Sequence, residues 1–480
     1  MLSRQIADDL PTAATICPRR PLSDKNEQDM GPVSDFAPSS APTFGQLPGT
    51  PLSSRPTPDF QWIVSQIGSR ELYGCPLSFH RRGHLKLFYT DAWCPNFRGL
   101  LAKLPAPLFG LARRYHVELP PNKVVGFTTG TFLDELSAKF STRPKTTESE
   151  FLQYLDTGKK FAQRCARHLA RQSLDPARDA LFAFTTGALE IIQVAKERGL
   201  PAIVDQLDPA KTDQDLIREE AERWAGWEAL PGTVPQVYFD RLAEEWAAAD
   251  LIFVNSEFSR RAIHSQGVPL EKLAVVPLAY EAEAPLDHKT VSPPEKPLQV
   301  LWLGQIVLRK GIPYLFEAAR KLQSENIRFA VAGRLGISAE ALKTAPPNLQ
   351  VLGKVTREEA IRLYHAADLF VLPTISDGFA ITQLEAMSYG LPVITTPNCG
   401  DVVTPGVDGQ ILPIRDSDAL AAAIAALHHD RSRLQAMSDA ARAKSRLFTL
   451  DRYAGAIEDA AGAFRTARGG ALNPKGQSVS

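Results

Sequence analysis

The chain has 480 residues, 44% hydrophobic and 22% charged, with 54 lysines and arginines against 54 aspartates and glutamates. It is too long for one core, because single domains stop growing at about 250–300 residues, and the balanced charge argues against a nucleic-acid binder or a scavenger of acidic substrates. No run free of polar side chains exceeds nine residues, as at Ala419–Leu427, against about 20 for a spanning helix, so no membrane-embedded protein is expected.

In chain order, ten of the 37 prolines fall in the first 58 residues, where no apolar period could offset the entropy of ordering the backbone, so 1–58 is expected to be a disordered extension. Asp8 and Asp9 stand where a secretory peptide needs an apolar stretch. The five cysteines lack any C-x-x-C spacing, which fits a reducing cytoplasm and neither a disulfide framework nor a thiolate zinc site.

From 59 to 280 short apolar runs recur at Gln61–Ile67, Leu85–Thr90, Val124–Thr128, Ala180–Thr185, Pro201–Val204 and Leu251–Asn255, with helical patterns between several of them. The proline-rich, charged stretch 281–297 reads as a linker. From 298 to 449 strands are expected at Gln299–Leu303, Arg328–Ala332, Gln350–Leu352, Leu369–Pro373 and Pro392–Thr395. Helices are expected near Ile312–Gln323, Arg357–Ala366, Ala380–Tyr389 and Ser417–Leu427. Doubly buried runs alternating with helices imply two doubly wound α/β domains, Rossmann-like, with parallel sheets. A helix at 450–468, with Tyr453, Ile457, Ala460, Ala461 and Phe464 on one face, needs a further surface to cover and is expected to return to the first domain; 469–480 reads as a flexible tail.

The densest chemistry lies in Leu369–Gly400. A strand ends at Pro373 and a helix is expected to begin close to Gly378, where ligands of open α/β sheets bind. Free amides at Gly378, Phe379, Ala380 and Ile381 would make an anion site. Asp377 would border the phosphate while Glu385, two turns on, faces the same crevice; the plainer reading is a helix cap and a solvated glutamate. The segment Val300–Leu315 adds Arg309 and Lys310 at the same sheet edge, so a diphosphate would be balanced from two sides.

These residues resemble the family 4 retaining glycosyltransferases, which have the GT-B fold of two Rossmann-like domains facing across a cleft. The family's acidic-x7-Glu motif is matched by Asp377 to Glu385, and its G-R-x4-K-G segment by Gly304 to Gly311. The resemblance implies that Glu385 binds the ribose hydroxyls, that Lys310 and the Gly378–Ile381 amides bind the diphosphate, and that Asp377 binds the donor sugar. It also implies that Gly353 and Val355 hold the base through their backbone. Two departures stand out: the family's first glutamate is Asp377, and its arginine is Gln305, a charge that Arg309 is expected to restore.

The first half is less orthodox. Where many members have a glycine-rich loop, this chain has Gly68–Pro76, so Arg70 and Glu71 are candidate acceptor contacts; the alternative is an ordinary helix start capped by Ser69. Asp205, Gln206 and Asp208 follow a buried strand, where family members often have a histidine, and with Asp91 they complete the acceptor-side candidates. Trp93 reads as core. Asp213-Gln214-Asp215 imitates a metal motif but is explained as the acidic first turn of a helix. His428 and His429 are expected to point apart, and no metal or cofactor is expected. Lys160, Arg164, Arg167 and Arg171 share a helix face that reads as solvated, with anionic lipid as the alternative.

The expected activity is transfer of a hexose from a nucleoside-diphosphate sugar to a glycan, lipid-linked or small-molecule acceptor, in the cytoplasm or at the membrane periphery and without nucleic acid. A catalytically silent nucleotide-sugar binder of the same fold is the first alternative. A dinucleotide-dependent oxidoreductase is the second, disfavoured because no G-x-G-x-x-G joins a first strand to its helix.

Overall fold

The computed structural model describes residues 60–96, 114–131, 146–228, 232–281 and 289–471. The expected extension 1–58, the middle of the linker at 282–288 and the tail from 472 lie outside the described residues.

The first lobe holds strands β1 (Gln61–Gln66), β2 (Leu85–Thr90), β3 (Val124–Gly126), β4 (Asp179–Phe184), β5 (Ala202–Gln206), β6 (Leu251–Val254) and β7 (Leu273–Val275). Its described helices are α1 (Gly74–Arg81), α2 (Thr147–Leu169), α3 (Leu189–Glu197), α4 (Lys211–Arg223), α5 (Gln236–Ala248) and α6 (Glu257–Ser265). The strands form one sheet in the order β3-β2-β1-β4-β5-β6-β7, with every pairing parallel.

The second lobe holds β8 (Leu298–Leu303), β9 (Ile327–Ala332), β10 (Leu349–Gly353), β11 (Leu369–Leu372), β12 (Val393–Thr395) and β13 (Gly409–Ile411). Its helices are α7 (Ile312–Lys321), α8 (Ala339–Leu342), α9 (Arg357–Ala366), α10 (Thr382–Ser388), α11 (Ser417–His429) and α12 (Arg431–Ser445), and α13 (Leu450–Ala471) ends the described chain. This sheet too is parallel, in the order β10-β9-β8-β11-β12-β13. Each order reverses direction at its first strand, leaving a crevice beyond the strand ends. Strands β7 and β13 and helix α12 escape the sequence reading. The two strands are three residues each, and α12 is mostly polar with buried small residues, so neither carries a strong period.

Alternation along the strands sorts the first lobe's core into two layers. Ile63, Leu181, Val204 and Ile252 pack with α2, α3 and α5 on one face. Trp62, Val64, Phe182, Ile203 and Phe253 pack with α1 and with Leu450, Tyr453, Ala454, Ile457 and Ala461 of α13 on the other. Helix α13 therefore crosses from the second lobe and closes the first lobe's exposed face. Buried Glu458 fixes it there, accepting from His84 Nδ1 at 2.5 Å and pairing with Arg82 at 3.2 Å. It continues to Ala471, three residues past the expected end at Arg468. The described end of the linker is second-lobe structure: buried Lys289 donates to the carbonyls of Tyr364 and His365.

Candidate active site

At the carboxyl edge of the second sheet, Gly304 follows β8 and Gly311 (φ +75°) precedes α7. A Cβ on Gly311 would overlap the Pro373 carbonyl, so the loop lies directly on the end of β11. Arg309 stitches the two loops: its carbonyl accepts from Ile375 N at 2.8 Å and Thr374 Oγ1 at 3.1 Å, and its Nη1 donates to Ser376 O at 2.5 Å. The next residue, Lys310, places Nζ in contact with Asp377 Oδ2. Burial, and after it the Arg309 guanidinium, pull Lys310 down to about 7. The touching carboxylate acts in the opposite sense and favours the ammonium. Gly333 donates to Gly353 O at 2.8 Å, and a Cβ on Gly333 would overlap Gly304 O, so three strand ends converge beside this pair.

The Asp377 loop departs from the expected helix start. Ala380 has φ +52°, and α10 begins only at Thr382, so the amides of Gly378 to Ile381 belong to a turn ahead of the helix. Among the described residues those four amides donate to no protein acceptor. Glu385 lies inside α10, with Oε2 accepting from Tyr364 Oη at 3.0 Å and Oε1 from Arg357 Nη1 at 3.3 Å. Both partners belong to α9, which follows the Gly353–Val355 turn and is capped by Thr356. The structure thus joins Lys310, Arg309 and Asp377 in one cluster and joins Glu385 to the turn expected to hold the base through α9. Among the described residues the Gln305 side chain finds no hydrogen-bond partner.

The first lobe's mouth is built differently. Asp91 accepts from Gly68 N at 2.8 Å and Arg114 Nη1 at 3.3 Å, so it braces the loop after β1. The alternative of an ordinary helix start is overturned: Ser69 makes no side-chain cap, and Glu71, Leu72 and Tyr73 take φ values of +43°, +54° and +66° before α1 begins at Gly74. Arg70 lies over the Phe184 ring, 5.5 Å from its centroid. Asp205, one residue before the end of β5, is nearly sealed, whereas Gln206 points the other way and is no cleft residue. Gln206 accepts from Trp246 Nε1 at 3.0 Å and donates to Asp208 O at 2.9 Å, because adjacent strand residues face opposite layers. Asp208 accepts from Ala210 N at 2.9 Å, and burial followed by the Asp213 charge raises its carboxyl.

The lobes meet across this mouth. A Cβ on Gly378 would lie 2.6 Å from Leu207 O, so that glycine permits the contact. Asp213 Oδ1 lies 3.9 Å from Arg309 Nη1, correcting its dismissal as only an acidic first turn. It does occupy the first turn of α4, but α4 docks on the other lobe. There buried Glu220 accepts from Tyr314 Oη at 2.8 Å and Arg415 Nε at 2.6 Å, and Glu228 accepts from Leu308 N. Asp401 Oδ2 accepts from Glu257 N at 2.7 Å from across the cleft. No sequence spacing links these partners, some of which are nearly 200 residues apart.

The expectation that His428 and His429 diverge fails, since both Nε2 atoms approach Glu325 Oε2, at 3.7 and 3.8 Å. These three could face one ion. However, Arg431 Nη2 lies 3.1 Å from His428 Nδ1, an arrangement that puts the ring proton on the Nε2 a metal would need. Trp93 packs edge-on to Tyr73 and Phe88. On the basic face of α2, Lys160 pairs with Asp156 at 2.7 Å.

Residues 284–444 match the family model described as glycosyl transferases group 1. The amylovoran biosynthesis glycosyltransferase AmsK of Erwinia amylovora is 27% identical over 215 residues, covering 42% of this chain and 52% of that protein. A D-inositol 3-phosphate glycosyltransferase of Xylanimonas cellulosilytica is 28% identical over 260 residues, covering 48% and 61%. The chain thus spans about half the length of the curated relatives it matches. Among solved structures, Anabaena HepE in complex with UDP superposes with a TM-score of 0.55 at 15% identity, covering 84% of this chain and 99% of that one. A sucrose-phosphate synthase from Thermosynechococcus elongatus gives 0.54 at 17% identity, covering 85% and 100%. Residues 284–444 are thus similar to the group 1 glycosyl transferases, within a chain whose two lobes have the GT-B fold.

Proposed function

We propose that the protein is a retaining glycosyltransferase that moves a hexose from a nucleoside-diphosphate sugar to a glycan, lipid-linked or small-molecule acceptor. The observation that carries this reading is the cluster of Lys310, Arg309 and Asp377 beside the free Gly378–Ile381 amides, directly opposite the first lobe. Two cations and a turn of amides suit a diphosphate, and a carboxylate at their edge suits sugar hydroxyls. Glu385, held by Tyr364 and Arg357, suits ribose hydroxyls beside a base in the Gly353–Val355 turn.

In this reading the bond from the anomeric carbon to the phosphate oxygen breaks as Lys310 and Arg309 take up the developing charge. The acceptor oxygen bonds to the same face, and its proton passes to the departing phosphate. The protein contributes positioning, charge stabilisation and exclusion of water between touching lobes. UDP is the first nucleotide to try, because HepE has been solved with it.

The test is a thermal-shift panel of UDP, GDP, ADP and NAD on the native chain, Lys310→Ala and Glu385→Ala. A ligand at 100 times its Kd stabilises by about 2.7 kcal/mol, which the panel resolves. Selective stabilisation by one diphosphate, lost in both variants, is expected, followed by release of that diphosphate from its sugar nucleotide. Stabilisation without any turnover would favour the silent binder, and preference for NAD would sink both readings.

A further inference from the structure

We propose that Asp205 binds a hydroxyl of the acceptor at the first lobe's mouth while Arg70 binds a second polar group of the same molecule, so that the acceptor is a polyhydroxylated sugar unit. This rests on the glycosyltransferase reading and specifies its acceptor side.

Asp205 is the penultimate residue of β5, in register with Phe184 of β4 and Phe253 of β6. It is 5% exposed, no described residue hydrogen-bonds its side chain, and Oδ2 is sealed from solvent without a partner. A buried carboxyl left this way has lost water and gained nothing, so it calls for a ligand or a role. Arg70 stands on the loop above, over Phe184, and among the described residues its guanidinium makes neither ion pair nor hydrogen bond. Two unsatisfied polar groups thus border one spot where ligands of such sheets bind.

The backbone between them points the same way. Glu71, Leu72 and Tyr73 form the only run of consecutive left-handed non-glycine residues in the described chain. Such residues store backbone strain and persist where surroundings over-determine them. Buried Tyr73 anchors one end of the run, and Gln66 Nε2, donating to the carbonyls of Gly68 and Arg70, anchors the other. The run is thus held at both ends directly over Asp205, and its displacement is what would open Oδ2 to an entering hydroxyl.

The protonation state suits a hydroxyl. Burial, then the Glu71 charge, push the Asp205 carboxyl up to about 8 against the pull of Arg70. Cys75 of α1 and Tyr453 of α13 also face it, and burial holds both neutral. At pH 7 Asp205 is therefore mostly an uncharged acid, able to donate and accept at once, as a sugar hydroxyl also does.

The test uses the full chain with Asp205→Asn, Asp205→Leu and Arg70→Gln. Thermal shift with nucleoside diphosphate is read first; equal shifts in all four proteins are expected, and no shift in the native chain would defeat the donor reading by itself. Methyl glycosides of glucose, galactose, mannose and N-acetylglucosamine are then titrated, with and without the nucleotide, by saturation-transfer NMR. At least one should bind the native chain. Asp205→Asn, which keeps a donor and an acceptor, should bind within about threefold, whereas Asp205→Leu and Arg70→Gln should weaken about tenfold. Native binding should fall between pH 7 and 9 while Asp205→Asn stays flat, which a merely structural role would not produce. Absence of glycoside binding to the native chain, or unchanged binding in Asp205→Leu, overturns the proposal. If Asp205→Leu does not fold, Asp205→Asn and Arg70→Gln decide it, and loss of binding in Asp205→Asn also counts against it.

Discussion

The two sides of the cleft reach their shapes by opposite means. In the second lobe, glycines at Gly311 and Gly333 let loop backbones lie where no side chain would fit, and each polar group that positions the loops has a partner within a few residues of a strand end. In the first lobe the loop after β1 carries side chains through a left-handed run, and among the described residues the side chains of Asp205 and Arg70 beneath and above it find no hydrogen-bond partner. If the proposed donor is held by its phosphates and a backbone-read base, it needs a rigid cradle that many relatives can share. An acceptor pocket must differ from one protein to the next, so its features lie in side chains.

The comparison is broken most directly at its rigid end. Gly333→Ala places a methyl group into Gly304 O at a φ of +147° and should destabilise the fold by about 4 kcal/mol or more, read by urea unfolding. Near-native stability in that variant would show the second lobe's loops to be as adaptable as the mouth. The next effect tests whether α4 belongs energetically to the second lobe. Arg415→Ala leaves fully buried Glu220 with Tyr314 and a looser contact from Arg223 at 3.8 Å, and should lower stability by about 3 kcal/mol.

A third measurement sharpens the unsatisfied side. With its carboxyl raised from 3.8 to about 8 in the folded state, Asp205 binds a proton that the unfolded chain has released. Its stabilising share is fully present below about pH 4 and is lost as the pH rises toward 8. Asp205→Asn removes that dependence, so its advantage over the native chain should grow across this window and reach at least about 1 kcal/mol at pH 8. A constant difference would mean that Asp205 is ionised in the fold. The smallest effect lies between the sides: Asp213→Asn frees Arg309 from a carboxylate 3.9 Å away, and diphosphate affinity by calorimetry should rise about threefold.

Asp377, Glu385, Lys310 and Gly311 were legible because each sits at a fixed offset from an apolar strand, and backbone geometry forces that offset. Ala380 shows the limit: nothing in its identity announces a left-handed residue, so the start of α10 was placed two residues early. Gln206 shows another, since one position along β5 separates a cleft-edge carboxyl from a core amide, and strand bounds from sequence are uncertain by at least that much. Asp213 and Glu220 looked like ordinary acids of a polar helix until α4 was seen docked on the opposite lobe.

The sequence by itself determined two parallel α/β lobes and the meeting of Arg309, Lys310 and the Asp377 loop at one sheet edge, because hydrophobic period and short-range glycine and charge spacing act along the chain. Only the tertiary structure decided which lobe α13 covers, that Asp213 faces Arg309, and that Asp205 is left unsatisfied beneath a strained turn. Those outcomes depend on contacts between segments far apart in the chain, where packing and burial fix the partner and local spacing carries no information.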